Sequence, residues 1–314
     1  MNKLFDWIGG KKWLASKLET TCRELLINNS NIEYYVEPFC GSMGSVIASL
    51  KVFKKFGIKK IILNDINTNL INVYLMVKNK PNELFELIKE IEEKHESLIP
   101  DRCFGLNKTK DKLILKELMK DANDYYINIR IQYNKLKNSS IDDDILKSSA
   151  QFLFLMYRAF NGVYRENKKG EFNTPYGWTN KKINLNNKYE NIISFHNLFK
   201  EMDIIFYNMN FNEFLEKCVK IQNKCLFYFD PPYLNEDLKE NDYNKDGFGL
   251  NEQKILLDYV DKFDNIIYSN HNLELFKTFF NKEKYSIEVV KRKNTMSSDN
   301  STRVNDAEEI FVYS

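Results

Sequence analysis

The residues with the clearest chemical potential follow an apolar run in the second half of the chain. The five residues Cys225 to Phe229 predict a buried strand of a parallel sheet, and the apolar pattern stops at Asp230. The next two positions, Pro231-Pro232, stiffen the backbone and lack N–H donors, and Tyr233 then adds an aromatic ring. Because open α/β sheets bind ligands at the carboxyl ends of their strands, we predict a functional site here.

These groups suit a planar base that carries an exocyclic amine. The Asp230 carboxylate and the Pro231 carbonyl can accept both amine hydrogens, and the Tyr233 ring can stack on the base. The alternative is a strand that ends in an ordinary proline-rich turn, in which these residues have no chemical role. We favour the first interpretation and predict that the catalytic residues are Asp230, Pro231, Pro232 and Tyr233.

The composition describes a globular protein rather than a disordered one. The chain has 314 residues, of which 43% are hydrophobic and 14% are aromatic, which is enough to bury a full core in one or two domains. The formal net charge is only +2, so that any surface for nucleic acid must be a local patch.

The cysteines and the hydropathy pattern bear on the cellular compartment. The five cysteines are scattered without a Cys-x-x-Cys pair, which argues for a reducing compartment and against a zinc site, and we expect no bound metal. No segment resembles a signal peptide or reaches the length of a membrane span. A cytoplasmic protein is therefore expected.

The first half of the chain contains a strand, a glycine-containing loop and a helix in succession. The strand and the loop are predicted within 34–45 and the helix at 46–53, and a second strand at 59–63 leads to Asp65. An acidic residue at this spacing can accept hydrogen bonds from a ribose diol. The pattern fits NAD and S-adenosylmethionine equally, and it also fits an ordinary βαβ unit with Asp65 at a helix N-cap.

Strand patterns return after a long charged segment. Residues 81–149 are rich in Lys and Glu and have a helical period, so that they form an insertion and not part of the sheet. Five further strands are predicted at 204–207, 225–229, 266–271, 285–290 and 309–313. The sequence therefore predicts an α/β fold, with a seven-stranded, mainly parallel, Rossmann-like sheet, an antiparallel late strand and an inserted, mostly helical domain.

Two other segments have compositions that suit ligand binding. Trp7 and the pair Gly9-Gly10 precede Lys11, and paired glycines let a backbone approach a ligand closely, although a plain turn before a helix has the same pattern. The segment Phe160 to Gly177 mixes aromatic, Asn, Arg and Lys residues and predicts a β-hairpin. Such a hairpin can enter a DNA groove, with Arg on guanine and Lys on phosphate, or it can be an ordinary surface hairpin.

Four segments in this order resemble the Dam-type DNA adenine-N6 methyltransferase family. They are Trp-x-Gly-Gly-Lys from Trp7, Glu-Pro-Phe-x-Gly from Glu37, Asn-Gly-x-x-Arg-x-Asn-x-x-Gly-x-Phe-Asn-x-Pro-x-Gly from Asn161, and Asp-Pro-Pro-Tyr from Asp230. The hairpin segment is the most specific of them. Ser269-Asn270-His271 and Glu308-Glu309-Ile310 are also similar to the family, so that the resemblance runs from about Phe5 to Tyr313.

The resemblance implies binding sites for a cofactor and for double-stranded DNA. The implied S-adenosylmethionine site consists of Trp7, Gly10, Lys11, Glu37, Phe39, Gly41, Asp65, Asn210 and Asp230. The implied DNA-binding residues are Phe160, Asn161, Val163, Arg165, Asn167, Lys168, Asn173 and Pro175. By the same resemblance Asp65 contacts the ribose, Arg165 reads guanine, and Phe160 and Asn161 fill the gap that a flipped base leaves.

Two positions depart from the family pattern. Many relatives have Gly-x-Gly in the loop after the first strand, where this chain has Gly41-Ser42-Met43-Gly44. With Met43 at the second position, the backbone path of the loop need not be that of the family, although its role is expected to be the same. Many relatives also have an Asp after the third strand that faces the adenine amine of the cofactor. The nearest candidate here is Asn210, whose side-chain carbonyl can accept the same hydrogen bond.

The implied enzyme transfers a methyl group to N6 of a flipped adenine, in GATC or a longer GAT-initiated site. The expected domains are a catalytic domain at 1–79 and 198–314 and a DNA target-recognition domain at 80–197. A cognate restriction endonuclease is a conceivable partner, and a monomer or weak dimer is expected.

Several alternatives remain open at this point. The nearest is methylation of cytosine N4, and similar motifs methylate RNA or protein glutamine; the hairpin and the Asp at position 230 argue against these substrates. A catalytically inactive DNA-binding subunit conflicts with the intact motifs at Trp7, Asp65 and Asp230. A nicotinamide oxidoreductase would leave the Asp230 motif without a role.

Overall fold

The computed structural model describes residues 3–7, 10–107, 110–234, 248–292 and 307–314. The polar composition of 234–250 predicts an active-site loop, and that of 292–303 predicts a loop on the DNA backbone; most of both segments lies outside the described residues. Within the described ranges, no helix combines the length and apolar character that crossing a bilayer requires.

The strands of the described chain match the predicted ones. They are β1 (Tyr34–Glu37), β2 (Lys60–Asn64), β3 (Ile204–Tyr207), β4 (Cys225–Phe229), β5 (Ile266–His271), β6 (Ser286–Arg292) and β7 (Ala307–Tyr313). The helices are α1 (Ala15–Asn28), α2 (Gly44–Phe56), α3 (Thr68–Asn79), α4 (Pro81–Ser97), α5 (Lys112–Leu118), α6 (Lys120–Leu136), α7 (Asp142–Arg158), α8 (Leu185–Glu201), α9 (Phe211–Cys218), α10 (Leu250–Val260) and α11 (Glu274–Phe279).

The chain divides into two compact units. The helical unit comprises residues 1–10 and 67–201, and the sheet unit comprises residues 11–66 and 202–314. This division differs from the predicted boundaries at 80 and 197, because α3 packs on α7 and α8 and because Phe5 stacks on Tyr74 of α3. The N-terminal segment and α3 thus group with the helices, although their sequences border the sheet.

The sheet unit has the strand order β3-β2-β1-β4-β5-β7-β6. The five strands from β3 to β5 in this order are parallel, and β7 is antiparallel to both β5 and β6. The predicted mainly parallel sheet with an antiparallel late strand is therefore confirmed. Since the chain order reverses between β1 and β4, an open α/β sheet of this kind places its ligand site there.

The core beside β4 is aromatic and tightly packed. The Phe227 ring stacks on Phe263 with 4.2 Å between centroids, and Phe229 lies 5.8 Å from Phe227. All three side chains are fully buried, and burial of one such side chain stabilises the fold by roughly 1.5–3 kcal/mol. The packed side chains therefore fix the end of β4, and with it the position of Asp230.

The helical unit is organised around α7. This helix begins with Asp142, Asp143 and Asp144, whose charges interact favourably with the helix dipole, and residues 148–156 are buried. Helices α3, α4 and α6 all pack against α7. The helical character predicted for 81–149 is confirmed by α4, α5, α6 and α7.

The cysteines serve as packing groups. Free, buried thiols are found at Cys22, Cys40, Cys103, Cys218 and Cys225. Burial raises the pKa of each thiol, to about 12 at Cys22, Cys218 and Cys225.

Candidate active site

Polar residues follow neighbouring strands at one edge of the sheet. Asp65 follows β2, Asp230 follows β4, and His271 ends β5. Because these strands are parallel, their carboxyl ends share one edge. The predicted site residues Asp65 and Asp230 therefore occupy the same edge, on either side of the loop that follows β1.

Lys11 is the centre of a charged cluster at this edge. Its ammonium lies 3.0 Å from Asp230 Oδ1 and 3.6 Å from Glu309 Oε2, and it donates to the Tyr233 hydroxyl at 2.6 Å. The Tyr233 hydroxyl in turn donates to Glu309 Oε2 at 2.9 Å. One ammonium thus contacts two carboxylates and a phenol.

The Asp230 carboxylate is largely enclosed. Its side chain is 19% exposed, and burial raises the pKa of its carboxyl group, whereas the ammonium of Lys11 lowers it. Ser269 Oγ donates to Asp230 Oδ1 at 3.1 Å and lies 3.1 Å from the Tyr228 hydroxyl. Among the described residues both polar contacts of the carboxylate fall on Oδ1, which leaves Oδ2 to accept from an incoming amine.

The segment after Asp230 is fixed by two side chains. Gln253 Nε2, on α10, donates to the Pro232 carbonyl at 2.8 Å. His271 Nδ1 lies 2.6 Å from the Leu234 carbonyl, and its ring packs edge-on against Tyr233 with 4.9 Å between centroids. The backbone between Pro232 and Leu234 is therefore held from both α10 and β5.

The loop after β1 is tied to β2 by hydrogen bonds. The Gly41 backbone N–H donates to Asp65 Oδ2 at 3.0 Å. The buried Asn64 amide donates at 3.0 Å to the carbonyls of both Pro38 and Met209. Asn64 thus joins the segments that follow β1 and β3.

Met43 adopts the left-handed conformation that glycine usually occupies. Its φ is 60° and it caps α2, at a cost of roughly 1–2 kcal/mol for a residue with a side chain. The side chain is fully buried, and the Met43 N–H donates to the Cys40 carbonyl at 2.8 Å. Packing offsets the strain, so that the loop still turns into α2.

Two residues expected at the cofactor make other contacts in the structure. Glu37 is 1% exposed, and its Oε1 accepts from Ser45 and, at 2.6 Å, from the Tyr35 hydroxyl; burial raises its pKa to about 8. Asn210 caps α9, and its Oδ1 accepts from the Asn212 N–H at 3.4 Å. Their contact with a cofactor stays a prediction.

The remaining predicted cofactor residues divide between the two units. In the sheet unit, the Phe39 ring packs against Phe211 and Phe248 at 5.6 and 5.4 Å. In the helical unit, the Trp7 ring lies 5.3 Å from that of Tyr164, and the Gly10 N–H donates to the Trp7 carbonyl at 3.4 Å. Trp7 therefore belongs to an aromatic cluster of the helical unit.

The segment 160–177 forms a hairpin in the helical unit. One antiparallel bridge pairs its arms at the base and another near the tip. The tip is closed by Asn167, whose side-chain carbonyl accepts from the backbone N–H groups of Lys169 at 2.9 Å and Glu171 at 3.0 Å. The Asn167 side chain therefore has a structural role here, as the first residue of an Asx turn.

Helix α6 supports the arms of the hairpin. The Tyr126 hydroxyl and an Arg130 terminal nitrogen donate to the Thr174 carbonyl at 3.0 and 3.2 Å. The Asn134 side chain donates to the Phe172 carbonyl at 3.0 Å and accepts from the Phe172 N–H at 2.8 Å. The hairpin is thus anchored through its backbone, so that its outward side chains are not needed to hold it in place.

The base of the hairpin rests on a buried ion pair. Arg158 Nε and Nη2 donate to Glu92 Oε2 at 2.9 and 2.6 Å, and both side chains are fully buried. The Gly177 N–H donates to the Arg158 carbonyl at 2.7 Å. A Cβ at Gly177 would lie 2.8 Å from the Ala159 carbonyl oxygen, so that only glycine fits there.

The hairpin presents its predicted DNA-binding side chains outward at several positions. Arg165 and Lys168 are exposed, and Phe160 is 49% exposed. Arg165 Nε donates to Asn173 Oδ1 at 2.8 Å across the two arms, and Asn161 has a left-handed φ of 55°.

Three residues of the strand edge had no assigned role from the sequence. Glu309 and Ser269 lie in segments that resemble the family, but the resemblance gave neither a function. No sequence pattern marks Gln253 as part of the site. A glutamine on a helix is usually exposed, whereas Gln253 is fully buried.

The fold and the site together define a Rossmann-like methyltransferase with an Asp-Pro-Pro-Tyr motif. Residues 7–296 match the model of the D12 class N6 adenine-specific DNA methyltransferases, and the chain belongs to this family. Membership of this family makes the chain an adenine-specific DNA methyltransferase by class, as the resemblance implies.

Known members of the family are similar to the chain over most of its length. It is 31% identical to the type II methyltransferase M.MjaIII of Methanocaldococcus jannaschii, over 98% of this chain and 96% of that protein. It is 26% identical to the type II methyltransferase M1.LlaDCHI of Lactococcus lactis subsp. cremoris, over 87% and 84%. It is 25% identical to the DNA adenine methylase of Escherichia coli strain K12, over 99% and 95%.

Proposed function

We propose that this enzyme transfers the methyl group of S-adenosylmethionine to N6 of an adenine that has flipped out of double-stranded DNA, in GATC or a longer GAT-initiated site. The observation that carries the proposal is the contact of Lys11 with both Asp230 and Tyr233 at the carboxyl end of β4. It brings an acceptor, a cation and an aromatic ring to the point where the chain order of the sheet reverses.

The residues at the strand edge fit S-adenosylmethionine, which supplies an electrophilic methyl group on a sulfonium. Asp65 is half-buried and accepts from the Gly41 N–H, and a carboxylate with about four lone-pair sites suits the two hydroxyls of a ribose diol. We propose that Asp65 and Gly41 hold the ribose side of the cofactor, with Lys11, Phe39 and the other predicted residues of the sheet unit around it.

The proposed chemistry depends on orientation more than on covalent catalysis. The lone pair of adenine N6 is delocalised into the ring and is a poor nucleophile. Hydrogen bonds from N6 to Asp230 Oδ2 and to the Pro231 carbonyl favour a pyramidal nitrogen, and stacking on Tyr233 holds the base plane. Flipping the base costs about a few kcal/mol, which contacts to the DNA must offset.

Sequence reading is proposed for the hairpin of the helical unit. Because Asn173 takes the Arg165 Nε–H, the two terminal nitrogens of the guanidinium remain as a fork for guanine O6 and N7. The exposed Phe160 ring and Asn161 suit the gap that a flipped base leaves, and Lys168 suits a phosphate. On this proposal the helical unit recognises DNA and the sheet unit catalyses transfer.

The proposed partners follow from the same activity. We propose that the protein acts on DNA as a monomer or weak dimer and that it can protect sites from a cognate restriction endonuclease. Sedimentation of the protein with and without a duplex measures the first point, and protection of methylated DNA from GATC-cleaving nucleases measures the second.

One experiment tests the proposed substrate and donor together. Purified protein is incubated with tritiated-methyl S-adenosylmethionine and a panel of duplexes that contain GATC or one altered base, and the nucleosides are separated after digestion. We expect label only in N6-methyladenine, and most of it from GATC. Label in N4-methylcytosine, or equal label from all duplexes, would contradict the proposal.

A further inference from the structure

Glu309 is a buried carboxylate to which the family resemblance assigns no role. It lies on the antiparallel strand β7, opposite His271 of β5 and Val290 of β6, and it is 1% exposed. The preceding residue, Glu308, is exposed and accepts from Asn272 at 2.9 Å. Because side chains alternate along β7, Glu309 contacts the charged cluster, whereas Glu308 lies on the other face of the strand.

We propose that Glu309 is a positioning residue for methyl transfer, which acts through the hydroxyl of Tyr233 and the ammonium of Lys11. This inference rests on the proposed function, since it assumes that Asp230 and Tyr233 receive the target adenine.

The first argument is the direction of the hydrogen bonds. A lysine ammonium can only donate and a carboxylate can only accept, so that the phenol between them accepts from Lys11 at 2.6 Å and donates to Glu309 at 2.9 Å. The Tyr233 hydroxyl has one hydrogen, and Glu309 fixes where it points. Glu309 thereby holds the edge of the ring that is proposed to stack on the base.

The second argument is the balance of charge. Lys11 lies 3.0 Å from one carboxylate and 3.6 Å from the other, so that its ammonium is shared. Without the charge of Glu309, Lys11 is expected to pair more closely with Asp230. A tighter ion pair would weaken Asp230 as an acceptor for the N6 hydrogens.

The test measures single-turnover methyl transfer with Glu309→Gln, Tyr233→Phe and the double variant. Glu308→Gln is the matched control, since it removes the neighbouring carboxylate from the outer face of the same strand. We expect Glu309→Gln to lower the rate about tenfold, which corresponds to about 1.4 kcal/mol, with little change in the dissociation constants for cofactor and DNA. Glu308→Gln should keep the wild-type rate.

The double variant distinguishes positioning from a general structural role. Because Glu309 acts largely through the Tyr233 hydroxyl, Glu309→Gln should cost clearly less in the Tyr233→Phe background. A wild-type rate in Glu309→Gln would overturn the inference, and equal losses in both backgrounds would overturn the route through the Tyr233 hydroxyl. If Glu309→Gln melts early, the same cycle with Glu309→Asp, which keeps the charge but shortens the side chain, decides the question.

Failure of the proposed function would give a different result. Wild-type protein that labels no adenine, or an Asp230→Ala variant that keeps full activity, would refute the proposed site itself. Loss of activity in Asp230→Ala together with an unaffected Glu309→Gln variant would refute only the role of Glu309.

Discussion

The sheet edge and the hairpin satisfy their polar groups in different ways. At the sheet edge, Lys11 contacts Tyr233, which is 222 positions away, and Tyr233 contacts Glu309, which is 76 positions further on. In the hairpin, Arg165 bonds to Asn173, only 8 positions away. The first arrangement depends on the topology of the whole sheet, whereas the second is local.

This difference separates the expected consequences of mutation. A buried cluster of mutually paired charges loses its geometry when one member changes, so that substitutions there should change the rate of transfer. Exposed side chains on an anchored hairpin can change one at a time, so that substitutions there should change the choice of DNA sequence.

The largest effect is expected for Asp230→Ala. Transfer should fall by at least about a hundredfold, since the variant loses the acceptor that orients N6. The fold should persist, because Lys11 retains its contacts with Tyr233 and Glu309. Tritiated-methyl transfer and circular dichroism measure the two outcomes, with Asp230→Asn as the control of equal size. Near-normal transfer by Asp230→Ala would contradict the buried-cluster interpretation.

The next largest effect is expected for Gly177→Ala at the base of the hairpin. The new methyl would lie 2.8 Å from the Ala159 carbonyl oxygen and 2.9 Å from that of Arg158, so that backbone must move, at a cost of roughly 1–3 kcal/mol. Gly105→Ala is the matched control in the same unit, since a methyl there meets nothing within 4 Å. Urea unfolding compares the stability of the two variants. Equal stability would show that the backbone at the base of the hairpin can move at little cost in free energy.

Arg165→Ala should change sequence preference more than fold. Loss of one guanine fork is worth roughly 1–3 kcal/mol of discrimination, so that methylation of GATC and of sites altered at the first base should become more alike. Lys168→Ala should instead lower methylation of all sites equally and soften the salt dependence. A uniform decrease with Arg165→Ala would make Arg165 a backbone contact and remove the main support for GATC.

The last prediction concerns the pH dependence of stability through Glu37. Burial raises the pKa of its carboxyl from 4.5 to about 8, so that between these values the folded state keeps a proton that the unfolded state has lost. This group therefore makes the free energy of unfolding fall as pH rises, by at most about 1.4 kcal/mol per pH unit.

Glu37→Gln cannot titrate, and it should make the loss of stability between pH 5 and 8 less steep. Urea unfolding at several pH values measures this slope, with the exposed Glu24→Gln on α1 as the control. A slope equal to that of the wild type would mean that Glu37 does not keep its proton in the folded state.

The sequence predicts the parts of this protein that depend on local patterns. Apolar runs marked all seven strands, and the end of one such run marked Asp230. Composition did not show that α3 packs with the helical unit, that Gln253 is buried, or that Glu309 meets Tyr233. These features depend on packing between distant segments, and a local pattern does not record which segments meet.

The reactivity of the buried thiols can be used to measure local opening of the structure. A thiol reagent can reach these side chains only when the surrounding structure opens, and the raised pKa values slow the reaction further. Cys103 lies in the helical unit, whereas the other four cysteines lie in the sheet unit. Pulse labelling followed by peptide mass spectrometry would therefore time the opening of each unit separately, without any introduced probe.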